Sequence, residues 1–195
     1  MADSKFTSVD SWAFWNIPAG DLSGKDAKTI EDLFKDSYQE NHFPSEMLPA
    51  NLEDYLQQTK AVIVGMNPGN AAANQSTESF LNFHGQKKSA DYRLAAALYN
   101  TDLWGTFMTD LSTVIESDST NVELDQKNVA ALEKHLDELG IPEDAVLIAL
   151  GGKTYKPLEK FAKRPVATMY HYSNANNGHW TAEKAKQQIS EILTK

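Results

Sequence analysis

Six residues, Ala61-Val62-Ile63-Val64-Gly65-Met66, run without a charge and stop at Asn67-Pro68-Gly69. An apolar run of that length, closed by a Pro-Gly turn, reads as a buried strand whose exit is fixed. In an open parallel sheet, ligands bind in the crevice outside the carboxyl ends of the strands. A polar amide at such an exit, followed by a turn that bends the chain away, can face that crevice. Taken alone, Asn-Pro-Gly is no more than a turn signal. Its significance depends on what stands at the other strand exits.

Helical and extended patterns alternate along the rest of the chain. Residues 25–40 carry Ile30, Leu33, Phe34 and Tyr38 at helical spacing, and Pro44 and Pro49 then break the chain. The strand at 61–66 leads into a polar loop reaching to about residue 88. Ser89 is positioned to cap a helix bearing Leu94, Ala97 and Leu98. A second strand is expected at 106–111. Asp125 opens the next helix, whose Val129, Leu132, Leu136 and Leu139 form one stripe before Gly140 and Pro142 end it. Strands at 145–150 and 166–170, a short helix between them and a final helix from about Thr181 complete the order. This βαβα alternation predicts an α/β fold, a three-layer α/β/α sandwich around a central, mainly parallel four-stranded sheet.

Composition narrows the classes. A chain of 195 residues, 41% hydrophobic and 23% charged, can bury one core without staples, so a single domain over 1–195 is expected. With no cysteine, disulfides, thiolate metal sites and a cysteine nucleophile are excluded. The opening Met-Ala-Asp-Ser-Lys is not patterned as a signal peptide, and no apolar run has the length of a membrane span, so the expectation is a cytoplasmic protein without a membrane partner. A net charge of −9 argues against charge-driven, nonspecific nucleic-acid binding as the main activity. The charge is uneven. Residues 116–144 hold nine acidic side chains against Lys127 and Lys134, whereas 151–165 hold Lys153, Lys156, Lys160, Lys163 and Arg164 against Glu159. Each segment by itself reads as a solvated helix face.

Four strand exits then carry polar groups: Asn67, Asp110 with Ser112, the turn Gly151-Gly152-Lys153-Thr154, and His171 with Ser173. All four can open onto one crevice, although topology names no reaction. Several other chemistries are disfavoured. Leu147 occupies the place of the leading glycine of a phosphate loop, no Gly-x-Ser-x-Gly elbow occurs, and the spacing of His42, His84, His171 and His179 matches no metal-ligand pattern. His171 by itself reads as a structural histidine, and Trp12, Phe14 and Trp15 as a clamp on the core.

The run Val62-Ile63-Val64-Gly65-Met66-Asn67-Pro68-Gly69 resembles the first motif of the uracil-DNA glycosylase superfamily, closest in form to the Gly-Ile-Asn-Pro-Gly of its mismatch-specific uracil/thymine branch. His171-Tyr172-Ser173-Asn174-Ala175-Asn176 stands where the second motif falls. Phe107-Met108-Thr109-Asp110-Leu111 resembles the strand that ends in a base-reading residue, and Leu150-Gly151-Gly152-Lys153-Thr154-Tyr155 a strand-to-helix glycine turn. The likeness covers residues 61–180.

The resemblance implies a glycosylase that flips a base out of DNA and hydrolyses its N-glycosidic bond without metal or cofactor. Asn67 and His171 would be catalytic, the amide holding the attacking water and the imidazole stabilising the anionic leaving base. Gly65, Met66, Phe83, Asp110 and Ser173 would surround the base, with Phe83 stacking on it. Gly152, Lys153, Asn174 and Asn176 would contact DNA. The implied partner is DNA with a damaged or mismatched base, duplex or single-stranded, bound by a monomer. The alternatives are a binding protein for a nucleotide or modified base on the same fold, and a hydrolase of small nucleosides. The chain departs from the pattern at three positions. Tyr172 replaces a proline that would tighten the turn, Ala175 replaces a larger wedge, and Asp110 stands where an asparagine would read uracil. An ionised carboxylate accepts from an exocyclic amine but repels the O4 carbonyl.

Overall fold

The computed structural model describes residues 5–70, 79–173 and 178–194. Its centre is β2 (Ala61–Gly65), all five residues of which are buried. To one side lies β3 (Phe107–Asp110) and to the other β4 (Val146–Leu150), followed by β5 (Val166–Met169), all parallel. A strand of two residues, β1 (Ser11–Trp12), adds antiparallel to β3, giving the order β1-β3-β2-β4-β5. The sheet thus has five strands where the sequence predicts four. Two residues are too few to show alternation, and the aromatic clamp expected near Trp12 is in part this edge strand.

Alternate residues of each strand face opposite layers. Ile63, Met108, Ile148 and Leu150 pack with α1 (Ala27–Asp36), α3 (Tyr92–Leu98) and α6 (Ala182–Leu193) through Ile30, Phe34, Leu94, Leu98, Ala185 and Ile189. Val62, Val64, Phe107, Leu147 and Ala149 pack with α2 (Leu52–Gln57), α4 (Gln126–Glu138) and α5 (Gly152–Phe161) through Leu56, Val129, Leu132, Leu136 and Leu158. The three-layer α/β/α arrangement follows. Cover on both faces explains why β2 and β4 are unbroken apolar runs. Trp12 and Trp15 are buried in opposite layers.

Helix ends obey local chemistry. Asp125 and Asn128 close a reciprocal capping box at the start of α4, and Gly140, at φ 77°, ends the helix with its N–H donating to Asp137 O and that of Ile141 to Leu136 O. Asp26 and Thr181 cap α1 and α6 through bonds to Thr29 N–H and Lys184 N–H. The cap expected at Ser89 is not formed. Ser89 lies in a short 3-10 turn and α3 begins at Tyr92, preceded by Asp91, whose carboxylate instead accepts from Tyr38 Oη and Trp15 Nε1. Arg164 is no part of a solvated basic face. It is 4% exposed, paired with Glu133 and Asp137 of α4, and donates to the Ile141 and Pro142 carbonyls. None of the described helices is long and apolar enough to cross a membrane.

Candidate active site

The chain leaves β2 through α3 to reach β3 on one side, and leaves β4 through α5 to reach β5 on the other. Adjacent exits therefore diverge to opposite layers, which opens a crevice between them at the carboxyl end of the sheet. The four predicted strand exits lie at this end.

At the β2–β3 exit, Gly65 pairs in register with Asp110. A Cβ on Gly65 would overlap Asp110 Oδ1 and come within 2.8 Å of the Phe83 ring. Glycine is required here because a carboxylate and an aromatic ring both close on its Cα. Phe83 sits at φ 66°, a left-handed conformation that costs a non-glycine residue roughly 1–3 kcal/mol and is retained where the surroundings dictate it. Its half-buried ring is thereby held against the strand end. Asp110 is 7% exposed and its Oδ2 accepts from Asn82 Nδ2 at 2.9 Å. The same Nδ2 donates to Val9 O at 2.7 Å, which fixes the orientation of the Asn82 amide. Burial pushes the Asp110 carboxyl up to about 7, with the Asn82 hydrogen bond opposing and the nearby Asp10 charge adding to the rise.

Asn67 is half-buried immediately beyond Met66, whose carbonyl accepts from Ser112 N–H. Asn67 Nδ2 donates to three carbonyls, Pro68 O at 2.9 Å, Val114 O at 2.9 Å and Glu116 O at 2.7 Å. The amide nitrogen is thus a clamp between the β2 exit and the loop after β3. Glu116 N–H to Pro68 O, Asn70 N–H to Ser117 Oγ and Ser117 N–H to Asn70 Oδ1 extend that clamp. With its nitrogen committed, Asn67 has Oδ1 to offer a water.

His171 follows β5 against the glycine turn: a Cβ on Gly151, which adopts φ 84°, would lie 3.4 Å from His171 Cβ. The imidazole Nδ1 accepts the Ser173 N–H at 3.1 Å and lies 2.9 Å from Ser173 Oγ. An accepting Nδ1 places the proton of the neutral ring on Nε2. Desolvation lowers the His171 pKa to about 4, so the ring is neutral at pH 7 and presents Nε2–H as a donor. Tyr172 stacks on this ring at 4.5 Å between centroids, is 8% exposed, and its carbonyl accepts from Arg93 Nη1 at 3.1 Å. Stacking and an arginine bond therefore hold the turn where proline was absent.

Gly152 begins α5 and is exposed. Lys153 Nζ donates to Ser119 O at 2.9 Å and Ser119 Oγ at 2.8 Å, so it bridges to the loop after β3 with one ammonium hydrogen remaining. Asn174, Ala175 and Asn176 lie outside the described residues. The structure adds Asn82, Asp91 and Arg93 to the neighbourhood. Nothing in local spacing marks them: Asn82 reaches Asp110 across 28 positions and Arg93 reaches Tyr172 across 79. A cavity of about 530 Å³ opens at the amino end of the sheet between Lys60, Asp102, Leu103 and Ile192, away from these groups. Among the described residues no group of three His, Asp or Glu side chains is placed to hold a metal ion. No protein-family model matches the chain, and no curated protein matches it.

Proposed function

We propose that this protein is a base-excision enzyme of the uracil-DNA glycosylase type, hydrolysing the N-glycosidic bond of a base turned out of DNA. The observation that carries the reading is His171: a neutral imidazole with a donor Nε2–H, fixed by Ser173 and Tyr172 at the sheet end that also bears Asn67, Phe83 and Asp110. Glycosidic cleavage leaves negative charge on the departing base. A fixed neutral donor stabilises that charge as it develops and pays no reorganisation at the moment of reaction. Asn67 Oδ1 would orient water toward the sugar carbon that becomes cationic. An amide is a weak base, so turnover is expected to be modest. Phe83 against Gly65 would supply a face on which the base stacks.

A second reading, recognition of a base or nucleotide without cleavage, is favoured by one observation. The Asn67 amide hydrogens are shared among three loop carbonyls, which is sufficient reason for an asparagine there without any reaction. The test is incubation with single-stranded and duplex oligonucleotides carrying uracil, hypoxanthine, xanthine or thymine opposite guanine, with abasic product read by alkaline cleavage. The proposal expects release of at least one base, abolished by His171→Ala. Binding without release by excess folded protein would replace it with the second reading.

A further inference from the structure

We propose that Asp110 reads the base as a neutral carboxylic acid, so that the protein takes bases presenting a carbonyl next to a ring N–H when the acid is protonated and bases presenting an exocyclic amine when it is ionised. The inference rests on the base-pocket reading above and deepens it by naming the group that sets the base class.

The geometry around the carboxyl group supports the neutral form. Asp110 closes β3 with 7% of its surface exposed, and among the described residues no lysine or arginine pairs with it. The groups that face it are unfavourable to charge. From the segment before β1 comes Asp10, itself 0% exposed, with its Oδ2 at 2.8 Å from His135 Nε2 of α4. From the turn after β5 comes the phenol of Tyr172, raised well above its ordinary pKa by burial and by the charges of Asp91 and Asp110. Asp91, before α3, stands near that same phenol, 1% exposed. From β2 comes only Gly65. A buried carboxylate with acidic neighbours and no cation is relieved by taking a proton.

Asn82 decides which oxygen receives it. Its Nδ2 is obliged to donate toward Val9 O and Asp110 Oδ2, so Oδ2 remains an acceptor in both states. The proton then resides on Oδ1, the oxygen that crowds Gly65 beside the Phe83 ring. In that state Oδ1–H donates to a base carbonyl, and the second lone pair of Oδ2 accepts the adjacent ring N–H. The acid reproduces the donor–acceptor pair of an amide. Loss of the proton turns Oδ1 into an acceptor, which takes an exocyclic amine and repels a carbonyl.

The test is equilibrium binding of free uracil and of free cytosine between pH 6 and 8, followed by NMR of the pocket aromatic rings. His171, with its pKa lowered to about 4, does not titrate in this range, whereas Asp91, raised to about 7, does and must be separated. Uracil is expected to bind about tenfold more tightly at pH 6 than at pH 8, and cytosine to show the opposite trend, as follows from an acid titrating near 7. In Asp110→Asn the uracil affinity should stay high and flat across the range. Equal uracil affinity at pH 6 and 8 in the parent overturns the proposal. So does a pH dependence that survives in Asp110→Asn, which would transfer the effect to Asp91 or to the Asp10–His135 pair. Should that variant not fold, the carbon-13 shift of the Asp110 carboxyl in the parent decides, since a carboxyl already ionised at pH 6 overturns the proposal. The predicted binding pattern without base release would retain the reader and remove only the hydrolase.

Discussion

At the scale of single residues, Asn67 at the crevice answers first to its own fold. Asn67 serves three carbonyls with its nitrogen and leaves one oxygen for water. A carboxylate in its place would be the stronger base. Here it would also set an anion against Pro68 O, Val114 O and Glu116 O, with no hydrogen to give them. Asn67→Asp is therefore expected to lower stability by about 1 kcal/mol, the cost of repelling two part-buried carbonyls and one exposed one, and to raise no excision activity. A urea melt and a single-turnover assay of the same preparation test both halves. A faster enzyme with an unchanged melt would show that the loop does not depend on the amide.

At the scale of elements, α4 is tied to the approach to β5 by one arginine. Arg164 pairs with Glu133, 5% exposed, whose Oε1 also accepts the N–H groups of Lys163 and Arg164. Arg164→Met would leave the Glu133 charge buried without its cation, a loss of about 3–5 kcal/mol by chemical denaturation, and Glu133→Gln in the same chain should recover part of it. An unchanged midpoint for the single variant would deny the clamp. Elements of this kind differed in how plainly they could be read in advance. The extended segments at 61–66, 106–111, 145–150 and 166–170 were legible because each is bounded by turn residues, and all four strands form within those limits. The exits they imply brought Asn67, Asp110, Gly151 and His171 to one end of the sheet. Short elements, β1 and α2, carry too few residues to express a period. The supporting contacts were illegible for a different reason. Asn82 beneath Asp110, and Arg93 behind Tyr172, are pairings made by the tertiary fold between positions with no local relation. The Ser89 cap is not formed because Ser89 ends a 3-10 turn, Ala90 takes a left-handed conformation at φ 64°, and α3 starts only at Tyr92.

At the scale of the whole molecule, burial shifts two carboxyls and two imidazoles in opposing senses. Asp91 and Asp110 are raised from 3.8 to about 7, while His171 and His84 are lowered from 6.5 to about 4 and about 3. Between pH 4 and 6.5 the folded chain holds two carboxyl protons that the unfolded chain has lost, so those groups favour folding increasingly toward acid. Over the same window the unfolded chain holds two imidazolium protons that the folded chain excludes, so the histidines favour folding increasingly toward neutrality. The contributions oppose, and the parent should show a near-level stability from pH 4.5 to 6.5. Asp110→Asn removes one acid-favouring group and leaves a net loss on acidification, on the order of 1 kcal/mol per pH unit or less given the partial exposure of His171. Urea midpoints at pH 4.5, 5.5 and 6.5 measure it, and parallel profiles for the two proteins would refute the balance. The sheet order carries one more consequence, for a chain being synthesised. β2 finds β3 on one side early, but its other partner is β4, with Ala61 opposite Val146. Until that segment leaves the ribosome, the fully apolar edge of β2 stands open, and an open apolar edge invites pairing with other chains. The strand that anchors the crevice in the finished protein is thus the one most in need of protection during its birth.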